Sequence, residues 1–531
     1  MAGRVLIIFL ATIMMMMSMM VPSSEAARIL AIFPTPAYSH HSVYKIYIQA
    51  LAVRGHDVVV IKSTDRISYT SRDDNDDSVE DNFVVAKKPY NITEIDATLT
   101  ERDYKRLFRQ ASVFRKRGLV ADSSSVTARN YVSLVRMISD QFDLPVVKEF
   151  IARQQEPFDL IIAEAFIDYS LVFSHLFNDA PVVQISSGYA VAENFETMGA
   201  VSRHPVYYPN MWRDKFSNLN VWDTIGEIYN ELRLQNEFSR LTDEQNELLK
   251  RQFGVSTPTI QELRSRVQLL LVNVHAVFDN NRPVPPNVQY LGGLHLAHKR
   301  PKPLFGMVRE FLDNATAGAI YVSFGSGIDT DAIDGEFVEM LLRTFEALPF
   351  AVLWKYDGRL DRMPRNVFVQ SWFEQYDLLH HDNVRAFVTQ GGVQSTDEAI
   401  EALVPMVGMP MMGDQSFNTN KYFELGIGRV VDTVNVNARE LVDAITDVAM
   451  NQKYRKRLVE LRHLIRNQAM SPLHKAIWYT EHVIKNQHHT MLKTKAANVN
   501  YSDYIMVNIF VPFAVFSVMN HLRQLLRINL V

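Results

Sequence analysis

The sequence predicts an α/β protein made of two doubly wound, Rossmann-like domains facing a cleft. Three observations carry that expectation. A chain of 531 residues is too long for one hydrophobic core, so two domains of about 200 residues or more are expected. Near its start an apolar run of strand length, Arg28–Phe33 (RILAIF), is followed by a helical pattern over residues 43–53. An Arg54-Gly55-His56 turn then leads to a second apolar run at 57–61, which makes a βαβ unit, the opening of a parallel sheet. Far downstream, residues 385–389 and 405–410 are short apolar runs flanking a helix-like segment at 394–403, with Gly391 and Gly392 in the first turn. Glycines there let backbone approach a ligand, and the helix that follows points its free N–H groups at the same place, which suits a phosphate or pyrophosphate.

Composition narrows the class. Hydrophobic residues make up 47% and charged residues 21%, an ordinary globular balance, and a formal net charge of -4 gives no reason to propose nucleic acid as a partner. Zero cysteines exclude disulfides, thiolate metal sites and a cysteine nucleophile. Residues 1–26 read as a signal peptide: Arg4 supplies a positive charge, 5–21 is an apolar methionine-rich run, and Ser24-Glu25-Ala26 is a small-x-small cleavage site. A secreted protein is expected, the alternative being an uncleaved anchor. Sequons at Asn91, Asn314 and Asn500 would be open to glycosylation in that compartment.

In the N-terminal half no GxGxxG lies between the first strand and its helix, which argues against a dinucleotide at that turn. Ser39-His40-His41-Ser42 stands there instead. A histidine at the carboxyl end of a strand can take up a proton near neutral pH, or it can simply cap the helix. The acidic stretch at 71–82 reads as a solvated loop, 100–118 as a charged helical region, and 131–154 as one long amphipathic pattern. Residues 158–166 (FDLIIAEAF) read as a buried parallel strand with Glu164 near its carboxyl end, where an unpaired acid would be costly, so a partner is expected. Aromatics and methionines cluster from Tyr189 to Trp212, including Phe195, Met198, Tyr207, Tyr208 and Met211: a core set, or the lining of an apolar pocket. After an apolar strand at 267–272, Pro283, Pro285 and Pro286 announce a boundary.

The C-terminal half opens with residues 319–326 (AIYVSFGS), a strand running into a Gly-Ser turn, which makes Ser326 a candidate phosphate contact. Asp329-Thr330-Asp331 precedes a helix and reads as capping rather than as a metal site. Strands at 350–354 and 366–370 lead into the stretch from Ser371 to Asn418. There Trp372, Gln375, Glu398, Asp414 and Gln415 fall at strand ends or in first helical turns, where ligands gather in an open parallel sheet. Helices are expected over 437–450, 452–467 and 472–485. The adjacent pairs His380-His381 and His488-His489 cannot face one another on a helix and are not metal sites.

That stretch, SWFEQYDLLHHDNVRAFVTQGGVQSTDEAIEALVPMVGMPMMGDQSFN, resembles the signature of the UDP-sugar glycosyltransferases of the glucuronosyl/glucosyl family, and within it the branch carried by insect baculoviruses. The likeness runs over roughly residues 28–485. It implies a GT-B type fold, with an acceptor-binding domain at 27–297, a linker at 298–315 (placed by the family-like Leu291-Gly292-Gly293-Leu294-His295), a UDP-sugar-binding domain at 316–487 and a tail at 488–531. It implies that His40 deprotonates the acceptor hydroxyl and that an acid orients it, Glu164 where the family has aspartate, with Asp168 as competitor. It also implies a donor site. Trp372 would stack on uracil and Gln375 would read its edge. Glu398 would accept from the ribose hydroxyls. Thr389, Gln390, Gly391, Gly392 and Gln394 would surround the diphosphate, with Ser326 nearby, and Asp414 and Gln415 would hold the sugar. Many members have histidine where this chain has Gln390, which can donate a hydrogen bond but carries no charge.

The resemblance implies transfer of glucose from UDP-glucose to a hydroxyl of an apolar steroid, an insect moulting hormone, with inversion at the anomeric carbon. UDP-glucose serves as a substrate, with no cofactor and no bound metal. Two other readings remain: a steroid-sequestering protein that has lost catalysis, and a UDP-sugar epimerase or hydrolase of the same build. The tail run at 504–520, interrupted by Asn508 and Pro512, is 17 residues long, below the roughly 20 of a usual span. It reads as a vestigial or peripheral segment, with membrane anchoring as the alternative.

Overall fold

The computed structural model describes residues 26–71, 90–99, 101–154, 156–213, 215–327, 333–486 and 492–528. The expected signal peptide and the acidic stretch at 71–82 lie, apart from one end residue each, outside the described residues. So do Asp329-Thr330-Asp331 and His488-His489.

Two all-parallel sheets organise the chain. The first joins β1 (Arg28–Phe33), β2 (Asp57–Lys62), β3 (Ile92–Asp96), β4 (Leu160–Glu164), β5 (Val182–Ser186), β6 (Val267–Val272) and β7 (Val288–Tyr290) in the order β3-β2-β1-β4-β5-β6-β7. The second joins β8 (Ala319–Ser323), β9 (Ala351–Lys355), β10 (Val367–Gln370), β11 (Val384–Thr389), β12 (Met406–Gly408) and β13 (Gly428–Val430) in the order β10-β9-β8-β11-β12-β13. The central strands are continuous apolar runs because helices cover both faces: Ile29, Ala31 and Phe33 enter one core, Leu30 and Ile32 the other. In each sheet the strand order reverses once near the middle, between β1 and β4 and between β8 and β11. The carboxyl ends of those pairs are where ligands lodge in such sheets.

We label the helices that bear on the site α1 (Tyr38–Val53), α2 (Glu101–Ala111), α3 (Val221–Phe253), α4 (Gly335–Ala347), α5 (Gln375–Leu379), α6 (Val393–Glu401), α7 (Gln415–Glu424), α8 (Pro472–Lys485) and α9 (Val507–Ile528). Several differ from the sequence reading for local reasons. The amphipathic pattern at 131–154 is two helices, Ala128–Phe142 and Pro145–Arg153, because Pro145 ends one and starts the next. The helical region at 100–118 stops at Ala111, and a tight hairpin follows in which Phe114 bridges Val120. Part of the expected linker is a helix, Gly306–Asp313.

The halves are tied together. α8 returns across the molecule to the first sheet, burying Leu473, Ala476, Ile477 and Val483 in its core. The Tyr47 hydroxyl and Thr480 Oγ1 lie 2.5 Å apart, and Arg54 pairs with Glu481. Among the described residues no helix is long and apolar enough to cross a membrane. α9 nevertheless leaves Ile509, Phe510, Phe513 and Phe516 exposed.

Candidate functional site

A cavity of about 490 Å³ lies between the two sheets, at the carboxyl ends of β1 and β8. Its N-terminal wall begins where β1 ends: the Pro34–Ala37 loop turns the chain into α1, whose first turn carries His40. β4, the neighbour of β1, delivers Glu164 from its last position. The His40 Nδ1 lies 2.6 Å from Glu164 Oε1. The same carboxylate accepts the Tyr44 hydroxyl at 3.1 Å and the Thr35 backbone N–H at 3.1 Å. Burial alone would raise the Glu164 pKa, but the hydrogen bond and charge of His40 and the Thr35 N–H outweigh it and hold the carboxyl below its ordinary range. A carboxylate so held fixes the imidazole tautomer with its proton on Nδ1, leaving Nε2 as a proton acceptor toward the cavity.

His41 is different. Its ring meets Tyr69, the Thr35 carbonyl and Ser63, and burial lowers its pKa to about 4, so it stays neutral inside the domain. Asp168 is engaged elsewhere, paired with Arg264 at 2.7 Å and hydrogen-bonded by Gln184. The geometry therefore joins His40 to Glu164 and not to Asp168.

Of the two readings left open for the aromatics and methionines between Tyr189 and Trp212, the pocket lining is not the one the cavity shows. Phe195 and Met198 are core, and Trp212 stacks on Phe238 against that core. Tyr207 lies exposed on the surface, and Tyr189 packs on Phe417. Neither Tyr208 nor Met211 lines the cavity. The wall is built by Leu99, Tyr104 and Phe108 instead, from α2 and the end of the segment that follows β3, with Arg66 and Lys105 beside them. Burial and the nearby Glu164 charge push the Tyr104 hydroxyl up to about 12, so it is a neutral donor close to the His40–Glu164 pair.

On the opposite wall the C-terminal domain contributes three groups of residues. Trp372, after β10, is 44% exposed, with its ring set edge-on to Tyr38 and Lys355 5.7 Å from its centroid. Gln375, the first residue of α5, donates to Glu398 Oε2 at 2.8 Å and to Ser395 Oγ at 3.0 Å, so its amide N–H group orients Glu398. Lys299 donates to Glu398 Oε1 at 2.9 Å, which leaves this buried carboxylate paired on both oxygens.

The glycine turn after β11 is next. Gly392, Gln390 and Gln394 line the cavity, whereas Thr389 and Gly391 do not. Thr389 Oγ1 accepts the Gly391 N–H inside the turn. Gly391 (φ 92) faces α7, where a Cβ would sit 2.5 Å from Thr419 Cγ2. These two shape the turn. Gln394 donates to the Ser187 carbonyl of the other domain at 2.8 Å. Ser326, exposed after β8, lines the cavity beside Gly325, whose carbonyl accepts from Lys355 Nζ at 3.0 Å. Burial lowers the Lys355 pKa, and the Arg66 and Lys105 charges press the same way against Asp357. Asp414 and Gln415 complete the wall. Asn418 donates to Asp414 Oδ2, and Gln415 Oε1 accepts the Met411 and Met412 N–H groups, leaving its amide N–H for a ligand.

Lys299, Lys355, His295, Tyr44 and Tyr104 were not expected from sequence. Two had a readable signal. Tyr44 lies four residues after His40 on one helix face, and Lys355 closes the run Ala351–Lys355 at a strand's carboxyl end. Lys299 lies in an irregular segment with no periodicity, whereas His295 sits in the short 3-10 turn Leu294–Leu296, at the end of the family-like Leu291–His295 run. The three sequon asparagines, Asn91, Asn314 and Asn500, are exposed. Among the described residues no three His, Asp or Glu side chains gather to hold a metal ion.

A family model described as UDP-glucoronosyl and UDP-glucosyl transferase matches residues 28–523. The chain is 66% identical over 535 residues to an ecdysteroid UDP-glucosyltransferase of Mamestra brassicae nuclear polyhedrosis virus, covering 100% of this chain and 98% of that one. It is 50% identical to the ecdysteroid UDP-glucosyltransferase of Lymantria dispar multicapsid nuclear polyhedrosis virus, over 95% and 96% of the two chains. Among solved structures, the spinosyn forosaminyltransferase SpnP superposes with a TM-score of 0.56 at 14% identity, over 87% of this chain and all of that one. The glycotransferase of kitacinnamycin gives 0.53 at 19%, over 85% and 97%. The fold is GT-B.

Proposed function

The chain belongs to the UDP-glucoronosyl and UDP-glucosyl transferase family and is a glycosyltransferase; from that premise we propose that it moves glucose from UDP-glucose to a hydroxyl of an ecdysteroid, inactivating the hormone. The observation that carries the reading is the His40–Glu164 pair, set at 2.6 Å on one wall of a cleft whose other wall carries Trp372, Glu398 and the glycine turn. His40 Nε2 removes the acceptor proton while the acceptor oxygen attacks the anomeric carbon from the N-terminal side. The bond from that carbon to the diphosphate oxygen breaks on the C-terminal side, so UDP leaves and configuration inverts. Charge developing on UDP meets the N–H groups at the start of α6 and the nearby Lys355 ammonium, which offset the missing charge at Gln390. No step calls on a metal, and activity is expected to persist in EDTA.

Leu99, Tyr104 and Phe108 offer the steroid an apolar wall with one hydroxyl to receive a polar substituent. Secretion through a cleaved signal peptide, with glycans on exposed Asn91, Asn314 and Asn500, completes the reading. Incubation with labelled UDP-glucose and a steroid panel tests it. Conjugate is expected, and His40→Ala is expected to lower the rate about 10²–10⁴-fold while leaving UDP affinity nearly intact. Steroid binding without turnover would point to sequestration, and freed or altered sugar without conjugate to a hydrolase or epimerase.

A further inference from the structure

We propose that Asp122, a residue of the N-terminal domain, is a positioning residue for the sugar-binding loop of the C-terminal domain, completing that half of the site when the hairpin before it is seated. The hairpin is anchored away from the cavity. Its tip residue, Arg117 (φ 65), is 6% exposed and donates to the carbonyls of Thr433 and Val436, each at 2.8 Å. The guanidinium lies 5.2 Å from the centre of the Phe337 ring. The Arg117 backbone N–H donates to Asp334 Oδ2 at 2.9 Å, the carboxylate that also caps α4. Leu119 packs on the C-terminal core. A buried arginine that satisfies two carbonyls of the other domain is a specific plug and not a chance surface contact.

From that anchor the segment leaving the hairpin runs along the loop ahead of Asp414. The Val120 N–H donates to the Met411 carbonyl at 2.8 Å, and Asp122 Oδ2 accepts the Gly413 N–H at 2.9 Å. Gly413 sits at φ 64, one residue before Asp414. Within the C-terminal domain the loop is held from its other side by Gln415 Oε1 on the Met411 and Met412 N–H groups. Without Asp122 the N–H of the left-handed glycine loses this acceptor, and the residue after it would lose its register. None of these contacts touches Trp372, Gln375 or Glu398, so the effect should fall on the sugar and spare the nucleotide.

The inference rests on the reading that Asp414 and Gln415 hold the transferred sugar, and the test separates the two. Affinities for UDP and UDP-glucose are measured by calorimetry on the full chain for Asp122→Ala, Asp122→Asn, Arg117→Ala and Asp414→Ala. Asp122→Ala is expected to weaken UDP-glucose about tenfold, the loss of one charge-assisted hydrogen bond, with UDP unchanged. Asn keeps an acceptor oxygen, so Asp122→Asn should recover most of the loss; it also serves if the alanine variant fails to fold. Arg117→Ala should mimic Asp122→Ala. If Asp414→Ala discriminates between the two ligands and Asp122→Ala does not, the inference fails alone. If Asp414→Ala does not discriminate either, the sugar-site reading fails with it. Equal weakening of UDP and UDP-glucose in Asp122→Ala would make the residue a domain tie only, and would overturn the proposal.

Discussion

His40 and His41 are adjacent in a symmetrical Ser-His-His-Ser stretch, and composition cannot tell them apart. One helical step of about 100° separates their side chains, and that step sends His41 into a closed nest of Tyr69, Ser63 and the Thr35 carbonyl while His40 meets Glu164 at the cavity. Glu398 shows the same dependence on surroundings. Lys299 and Gln375 hold its two oxygens, so the carboxylate is aimed before any ligand arrives. Glu398→Ala is therefore expected to weaken UDP by about a hundredfold or more, since ribose loses two charge-assisted hydrogen bonds of roughly 1.5–3 kcal/mol each. Calorimetry of UDP on the folded variant checks it, and unchanged affinity would move the ribose elsewhere. Glu398 itself was legible from its place in the signature stretch after the glycine turn, although it stands in the second turn of α6 and not the first. Its partner Lys299 was not, because a lysine in an irregular segment carries no phase from which its direction can be read.

At the scale of elements, legibility followed hydropathy. β1, β6 and α8 emerge with their bounds nearly as read, since each is an uninterrupted apolar run or a strong amphipathic pattern. β5 (VVQIS) carries a buried Gln184 that breaks its run, and α3 spans 33 residues, exposing Val221, Trp222, Ile225, Ile228, Tyr229 and Leu232 along its first half and polar side chains along its second; neither was read from sequence. α6 shows what periodicity cannot convey. Its two faces serve two cavities: Glu398 looks toward the large one, and Asp397 lines a small space of about 10 Å³ beside Tyr189, Phe278 and Asn418. Burial, with the Glu398 charge adding, pushes the Asp397 carboxyl from 3.8 up to about 8. The folded chain thus keeps a proton that the unfolded chain releases. The corresponding stability is complete below about pH 4 and is lost as pH rises through about 8. Thermal unfolding should accordingly show a midpoint several degrees lower at about pH 8 than at about pH 5, with a flatter profile in Asp397→Asn. Equal slopes in the two proteins would show that Asp397 is ionised throughout.

For the whole molecule, the chain's end is used in two opposite ways. α8 closes the structure by burying Leu473, Ile477 and Val483 in the N-terminal core, at roughly 1.5–3 kcal/mol per side chain. That sum is comparable with the entire stability of a typical domain, about 5–15 kcal/mol. Residues 492–504 then dock beside the first sheet's helices, where the Asn498 N–H donates to the Glu196 carbonyl and Ser502 Oγ to Gln235. Beyond them α9 leaves its phenylalanines exposed and carries Pro512 inside it. A chain ending before Pro472 is therefore expected to yield no soluble activity, whereas one ending before Val507 should keep the turnover and thermal midpoint of the full chain. Expression of all three in insect cells, with activity divided between medium and membranes, checks both expectations together with secretion, because a peripheral α9 predicts full-length activity in the medium. Activity held in carbonate-washed membranes and released by the stop before Val507 would make α9 an anchor, and would place the encounter with the hormone at a membrane instead of outside the cell.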